Sequence, residues 1–240
     1  MVNCGLGWLA RILVDAILFD MDGTLLDSTA AVEKAWAYWG TLYPHLDIKH
    51  ILRTSHGIRT IDNLRKWNPE IPEADLPTRV HDFEMAIVTE SKKAEAQGEA
   101  GIVLLPGVKE LLASLGDKDW AICTSATHAY ADGALEAVHI RQPPVFVTAD
   151  DVSRGKPFPD PYLLGAEKCG VDPTKCLVVE DAPSGIASGK AARCTVVAVC
   201  TSHTKERMLQ TEPDILISDL TCMSVERVDG GLEVTITKPT

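Results

Sequence analysis

The chain has 240 residues, 45% of them hydrophobic and 24% charged, with a formal net charge of −11. That length and apolar content allow a sizeable core, as one domain or a domain with a smaller module, and exclude disorder. The acidic balance excludes nucleic acid and anionic membrane as partners, since both demand basic surface.

Seven cysteines (Cys4, Cys123, Cys169, Cys176, Cys194, Cys200 and Cys222) are scattered, odd in number and without a CxxC pair. They read as free thiols of a reducing compartment, which makes a cytoplasmic location the expectation. Residues 1–15 are apolar in flavour but interrupted by Arg11 and Asp15, and no cleavage pattern follows. The stretch reads as neither signal peptide nor membrane span.

Residues 16–19, Ala-Ile-Leu-Phe, predict a short buried strand. It stops at Asp20 and Asp22, with Gly23 and Thr24 opening a loop. Two carboxylates crowded at the mouth of a buried strand repel each other and lose hydration. A hard, oxygen-seeking cation such as Mg²⁺ relieves that arrangement, and an aspartate so shielded can attack a phosphate. On these residues alone, an Asp-rich turn explains the pattern equally well.

Val32, Ala35, Trp36 and Trp39 then recur at helical spacing and predict a helix over 29–40, its aromatic stripe mostly core. The helical pattern continues with short helices at 48–54 and 58–67, broken at Gly57 and Asn68-Pro69. A longer helix carries Val80, Phe83, Ile87 and Ala94 and ends before Gly98. No strand-like stretch falls between 29 and 100, so a helical module follows the aspartate loop. A helix from Pro106 to Gly116 comes next. Strands at 120–123, 145–147, 176–179, 195–199 and 215–217 then alternate with helices at 127–138, 160–169 and 185–192. Continuous apolar strands of this kind belong to a parallel sheet covered on both faces. Residues 225–228 and 232–236 flank Asp229-Gly230-Gly231 as a β-hairpin.

Doubly wound sheets carry their sites at the carboxyl ends of strands, so the other strand ends test Asp20 and Asp22. Strand 120–123 ends in Thr124-Ser125, a hydroxyl and backbone N–H groups suited to a phosphate oxygen, or simply a helix cap. Beyond 145–147, Lys156 stands between Gly155 and Pro157, whose restricted backbone directs its ammonium. A fixed ammonium neutralises nucleophile and phosphoryl group alike, although a loop lysine alone is commonly a solvated charge. Strand 176–179 ends in Glu180-Asp181, acids suited to a metal or to a turn before Pro183-Ser184-Gly185. Four modest signals at four strand ends describe one site.

Asp20-Met-Asp22-Gly-Thr24, Thr124-Ser125, Gly155-Lys156-Pro157 and Glu180-Asp181, in that order, resemble the haloacid dehalogenase-like phosphohydrolase superfamily over nearly the full chain. The helical insertion is similar to the cap of the beta-phosphoglucomutase-like branch. Ser55-His-Gly-Ile-Arg-Thr60 and residues 148–162 resemble fungal glycerol-3-phosphatases and 2-deoxyglucose-6-phosphatases. The resemblance implies an α/β fold: a doubly wound, mainly parallel Rossmann-like sheet formed by 1–28 and 105–240, with an inserted all-helical cap at 29–104. It also implies a Mg²⁺-dependent phosphatase that hydrolyses a small polyol or sugar monophosphate through an aspartyl-phosphate. The partner would be a small phosphorylated metabolite, and the chain a monomer.

By the same resemblance Asp20 is the nucleophile, and Asp22 protonates the leaving alcohol and then activates water. Mg²⁺ would be held by the Asp20 carboxylate, the Asp22 carbonyl and Asp181, with Glu180 orienting a metal-bound water. Thr124 and Lys156 would bind phosphoryl oxygens, aided by backbone N–H groups at Met21, Asp22 and Ser125. Haloacid dehalogenases lack the second aspartate, so Asp22 favours phosphotransfer. His56 and Arg59, flanking Gly57, are expected to face the substrate, with a surface helix salt bridge the alternative for Arg59. His128, just after the second motif, reads equally as a substrate contact or as an exposed first-turn histidine. Replacing Arg59 by Ala is expected to impair the physiological substrate more than an aryl phosphate. Ala126 stands where related phosphatases carry glycine and adds a methyl group near the substrate entrance. A sugar-phosphate mutase with the same chemistry is the alternative, and a catalytically silent binding protein the third reading.

Overall fold

The computed structural model describes residues 9–237; the readings made above on Cys4 and on residues 1–8 lie outside the described residues. Strands β1 (Leu9–Val14), β2 (Ala16–Phe19) and β3 (Leu26–Asp27) lead into helices α1 (Thr29–Leu42), α2 (Ile48–Thr54), α3 (Thr60–Trp67) and α4 (Leu76–Ala96). The chain returns through β4 (Val103–Leu104), α5 (Val108–Ala113), β5 (Trp120–Cys123), α6 (His128–Ala137), β6 (Phe146–Val147) and α7 (Asp160–Cys169). It continues with β7 (Cys176–Glu180), α8 (Pro183–Ala191), β8 (Thr195–Val199) and α9 (Lys205–Leu209). Strands β9 (Ile215–Ile217), β10 (Met223–Val228) and β11 (Gly231–Thr237) complete it.

Six strands form a parallel sheet in the order β6-β5-β2-β7-β8-β9. From β2 the chain builds first toward β5 and β6, then reverses to β7, β8 and β9. The topological switch point therefore falls beside β2, where doubly wound sheets bind ligands. Every residue of β2, β5 and β7 is buried, as the continuous apolar runs imply. Ile17 and Phe19 join one core cluster while Ala16 and Leu18 join the other, the period-two signature of a strand covered on both faces. On one face Tyr162 and Ala166 of α7 and Ile186 of α8 supply the cover.

The four helices of the insert begin and end at one place. β3 and β4 pair antiparallel, Leu26 opposite Leu104 and Asp27 opposite Val103. Leu105 N–H also donates to the Leu25 carbonyl at 3.1 Å, stitching the outgoing and returning chain together. Within the insert, Trp36 and Trp39 of α1 pack on Phe83 of α4 with ring centroids 4.4 and 5.3 Å apart. The aromatic stripe is core packing, and Trp36 also reaches the cavity described below.

Besides β3, β4 and α9, which the sequence reading does not mark, one larger element departs from the expectation. The amino-terminal stretch contains a strand, β1, which pairs antiparallel with β11 and, through it, with β10 in a separate three-stranded sheet. The carboxy-terminal hairpin is therefore not free-standing. Arg11, which interrupts the apolar run, faces solvent and meets Glu233 at 3.5 Å, while Val14 is buried. A half-exposed strand accepts such interruptions, and its partner lies at the opposite end of the chain, beyond any local window.

The six cysteines among the described residues are unpaired. No helix among the described residues is long and apolar enough to cross a membrane.

Candidate active site

β2 delivers Asp20 to the carboxyl edge of the sheet, where its N–H donates to the Val179 carbonyl at 3.0 Å. Thr124 directly follows β5 and Glu180 closes β7, so three chemical groups converge because parallel strands stop at one edge. Gly23 turns the loop with φ +84°, and a Cβ there would fall 2.0 Å from Asp181 Oδ2. Only glycine permits both the conformation and the approach.

Lys156 donates to Asp20 Oδ1 and, at 2.6 Å, to Glu180 Oε1, with its ammonium fully buried between them. The same Glu180 oxygen accepts the Tyr162 hydroxyl at 2.7 Å. Its other oxygen accepts the N–H groups of Asp181 and Ala182, each at 3.0 Å. Glu180 thus has its acceptor positions filled. A Cβ on Gly185 would lie 1.6 Å from this carboxylate, so glycine is needed there too. Burial by itself would lower the Lys156 pKa, but Asp20 and Glu180 outweigh it and hold the ammonium above the ordinary lysine range. Burial raises Asp20, with Lys156 pulling it back and Glu180 pushing it further up. Asp181 stands well above the usual carboxylate range through burial and the repulsion of Glu180 and Asp20.

Asp20, Glu180 and Asp181 present oxygens that all lie within 4.8 Å of one another. Together with Asp22, four carboxylates face the single ammonium of Lys156. Asp181 Oδ2 is buried without a hydrogen-bond partner, a costly state for a carboxylate. This orphaned oxygen and the all-oxygen donor set fit a hard divalent cation. Asp20 and Asp181 have positions open to it, whereas Glu180 is saturated.

Asp22 Oδ1 accepts two hydroxyls, Ser28 Oγ and Tyr130 Oη, each at 2.6 Å. Oδ2 is then the oxygen left to exchange a proton. Burial raises its pKa while those two donors oppose the rise. From Asp20, Asp22 and Thr124 a cavity of about 120 Å³ extends into the insert to Trp36, Phe83 and Glu84. Glu84 is 2% exposed. It accepts Thr60 Oγ1 at 2.6 Å, Thr127 N–H at 3.3 Å and the Thr127 hydroxyl.

The structure brings Asp20, Asp22, Thr124, Lys156, Glu180 and Asp181 to one sheet edge. Ser125, Gly57 and His56 line the adjoining cavity, and Ser125 Oγ donates to the Gly57 carbonyl at 3.0 Å, joining core to insert. Arg59, expected to face the substrate, does not line the cavity. Its guanidinium grips Asp62 at 2.8 and 3.3 Å and donates to the Val152 and Ser153 carbonyls at 3.2 Å. It straps α3 to the loop that precedes Lys156. His128 is exposed, 3.7 Å from Asp132, with its ring against Phe146 and outside the cavity. Two residues further along α6, Tyr130 is buried and reaches Asp22 instead.

Sequence reasoning missed Ser28, Tyr130, Glu84, Ser202 and His203. Ser202 lines the cavity and His203 lies edge-on to His56, ring centroids 5.6 Å apart. Burial presses the His203 pKa down to about 4, with His56 adding to the effect. Burial also lowers His56, against the pull of Asp22. Both Ser202 and His203 follow β8, where the strand-end rule applied to β2, β5 and β7 would have found them. Tyr130 and Glu84 sit inside helices and carry no such signal.

The family model for haloacid dehalogenase-like hydrolases matches residues 14–193, and the chain belongs to that family. Hexitol phosphatase A of Escherichia coli (strain K12) is 39% identical, over 89% of this chain and 95% of its own. Glycerol-1-phosphate phosphohydrolase 2 of Saccharomyces cerevisiae is 34% identical, over 86% and 82%. The 2-deoxyglucose-6-phosphate phosphatase 1 of the same yeast is 30% identical, over 96% and 98%. Among solved structures, a hydrolase from Pseudomonas syringae has a TM-score of 0.73 at 26% identity, covering 86% of this chain and 94% of its own.

Proposed function

We propose that the chain is a Mg²⁺-dependent phosphatase that hydrolyses the monophosphate of a small polyol or sugar through an aspartyl-phosphate on Asp20. The observation that carries this reading is Asp20 itself: a buried carboxylate gripped by Lys156, beside the orphaned Asp181 oxygen, at the inner end of a cavity. The named relatives above act on hexitol, glycerol and deoxyglucose phosphates, which supports the substrate class.

In this reading residues 1–28 and 105–240 form the catalytic core and 29–104 the cap. Asp20 and Asp181, with the Asp22 carbonyl that the resemblance implies, would hold Mg²⁺, and Glu180 fixes Lys156 from outside that set. The bound cation supplies positive charge against the phosphoryl oxygens, so that an anion can approach an anion. Thr124 and Lys156 hold those oxygens. Asp20 forms a bond to phosphorus as the ester P–O bond breaks, and Asp22 delivers its proton to the departing alkoxide. Asp22, now a base, takes a proton from water that attacks the aspartyl-phosphate, releasing phosphate and restoring Asp20. The helices of the insert exclude bulk water during both steps.

A specific observation favours hydrolysis over the mutase alternative. A mutase must hold a second phosphate at the far end of the cavity, and no lysine or arginine lines it; His56 is the one lining side chain able to carry positive charge. The test is a panel of phosphomonoesters with and without Mg²⁺, read as inorganic phosphate released. Isomerisation of a sugar phosphate without net release sinks the phosphatase reading, and undiminished turnover in Asp20→Asn sinks the nucleophile.

A further inference from the structure

Glu84 is a carboxylate placed where the proposed chemistry has no use for it. It comes from α4, on the insert side of the cavity, and is almost wholly buried. The insert side of the lining combines apolar Val32, Trp36, Phe83 and Ile87 with polar Thr60 and Asn63. Three donors, Thr60 Oγ1, Thr127 Oγ1 and Thr127 N–H, hold it, the last at the amino end of α6. A carboxylate has about four acceptor positions, so one remains for a further donor. No lysine or arginine among the lining residues offsets its charge. A group in this setting welcomes a hydroxyl and repels an anion.

We propose that Glu84 sets the substrate class at the far end of the cavity. It accepts a hydroxyl from a short, neutral, hydroxyl-bearing carbon chain and rejects phosphates whose other end is a carboxylate or a second phosphate. This inference rests on the phosphatase reading and deepens it. The apolar walls contact the carbon chain, Thr60 and Glu84 address its hydroxyls, and the charge of Glu84 excludes acids. Two like charges about 6 Å apart at an effective dielectric of about 20 repel enough to change a rate on the order of 100-fold. Glu84 also clamps α4 to α6, and the experiment separates that duty from selection.

The experiment compares matched pairs in the Mg²⁺-loaded enzyme: glycerol 3-phosphate against 3-phosphoglycerate, and 2-hydroxyethyl phosphate against 2-phosphoglycolate. In the wild type the neutral member of each pair is expected to have a kcat/KM about 100-fold higher. In Glu84→Gln the ratio should shrink at least tenfold, with an absolute rise in turnover of the acidic member. A loosened fold cannot produce such a rise. Glu84→Ser is expected to shift the ratio in the same direction and guards against a defect peculiar to glutamine. A wild-type ratio below tenfold, or an unchanged ratio in both variants, overturns the proposal. Failure of the phosphatase reading looks different: the wild type releases no phosphate from any pair member or from p-nitrophenyl phosphate, and the selection proposal falls with it.

Discussion

In the proposed reaction Asp22 would be held by two side chains outside the sequence motifs. Ser28 and Tyr130 both donate to Oδ1, which stabilises the carboxylate and orients Oδ2. Tyr130→Phe removes one of these bonds with little change of shape. Turnover of an alkyl phosphate, whose leaving group needs a proton, should fall about tenfold, roughly the worth of one hydrogen bond to a charged group. Turnover of p-nitrophenyl phosphate should fall much less. Equal losses in the two would assign Tyr130 to packing alone. His203 offers a second test at this scale. Its folded pKa of about 4 lies below the ordinary histidine value of 6.5. Between those values the unfolded chain binds a proton that the folded one refuses, so this group's contribution to stability is lost as pH falls from about 6.5 toward 4. His203→Gln should lessen that acid sensitivity. Melting temperatures of both proteins from pH 7 to 4.5 measure it, and parallel curves would refute it.

Elements declared themselves in the sequence more readily than did the directions of their side chains. Strand β2 and the ends of β5 and β7 were legible because a buried parallel strand is a continuous apolar run and its carboxyl end is where polar chemistry begins. The helices of the insert were legible from spacing alone. Which way Arg59 and His128 point was not, because a helix places polar residues on any face its neighbours leave open. Arg59 precedes α3 and spends its donors on Asp62 and on the carbonyls of Val152 and Ser153. Arg59→Ala should therefore lower kcat/KM for the physiological substrate and for an aryl phosphate alike, reversing the selectivity expected from sequence. Loss of the strap should cost roughly 1–2 kcal/mol of stability, read by chemical denaturation. A selective loss on the physiological substrate alone would return Arg59 to the substrate's side.

At the scale of the whole molecule, the two ends of the chain depend on each other. β1 runs antiparallel to β11 from Leu9 opposite Thr237 to Val14 opposite Leu232, and β10 flanks β11 on its other side. Deleting residues 1–14 would leave β11 an open edge and expose Val234 and Ile236, both now fully buried. The melting temperature should drop by roughly 6–12 °C, the equivalent of about 3 kcal/mol for a chain of this size, and solubility should fall with it. Unchanged melting would mean that the small sheet is an ornament to the fold. The insert shows the same dependence on distance, since β3 and β4 close its base although all four of its helices separate them in sequence.

The sequence by itself determined the parallel sheet, the helical insert and the gathering of Asp20, Asp22, Thr124, Lys156, Glu180 and Asp181 near the carboxyl ends of the strands. Each of these is encoded locally, by apolar runs and by the residues that stop them. Only the tertiary structure decided that Tyr130 rather than His128 reaches the site, that Arg59 binds loop carbonyls, that Glu84 enters the cavity and that β1 finds β11. Those outcomes depend on helix phase and on partners far apart along the chain. The energy that selects them is packing and the satisfaction of buried polar groups, which does not exist until the distant surfaces meet.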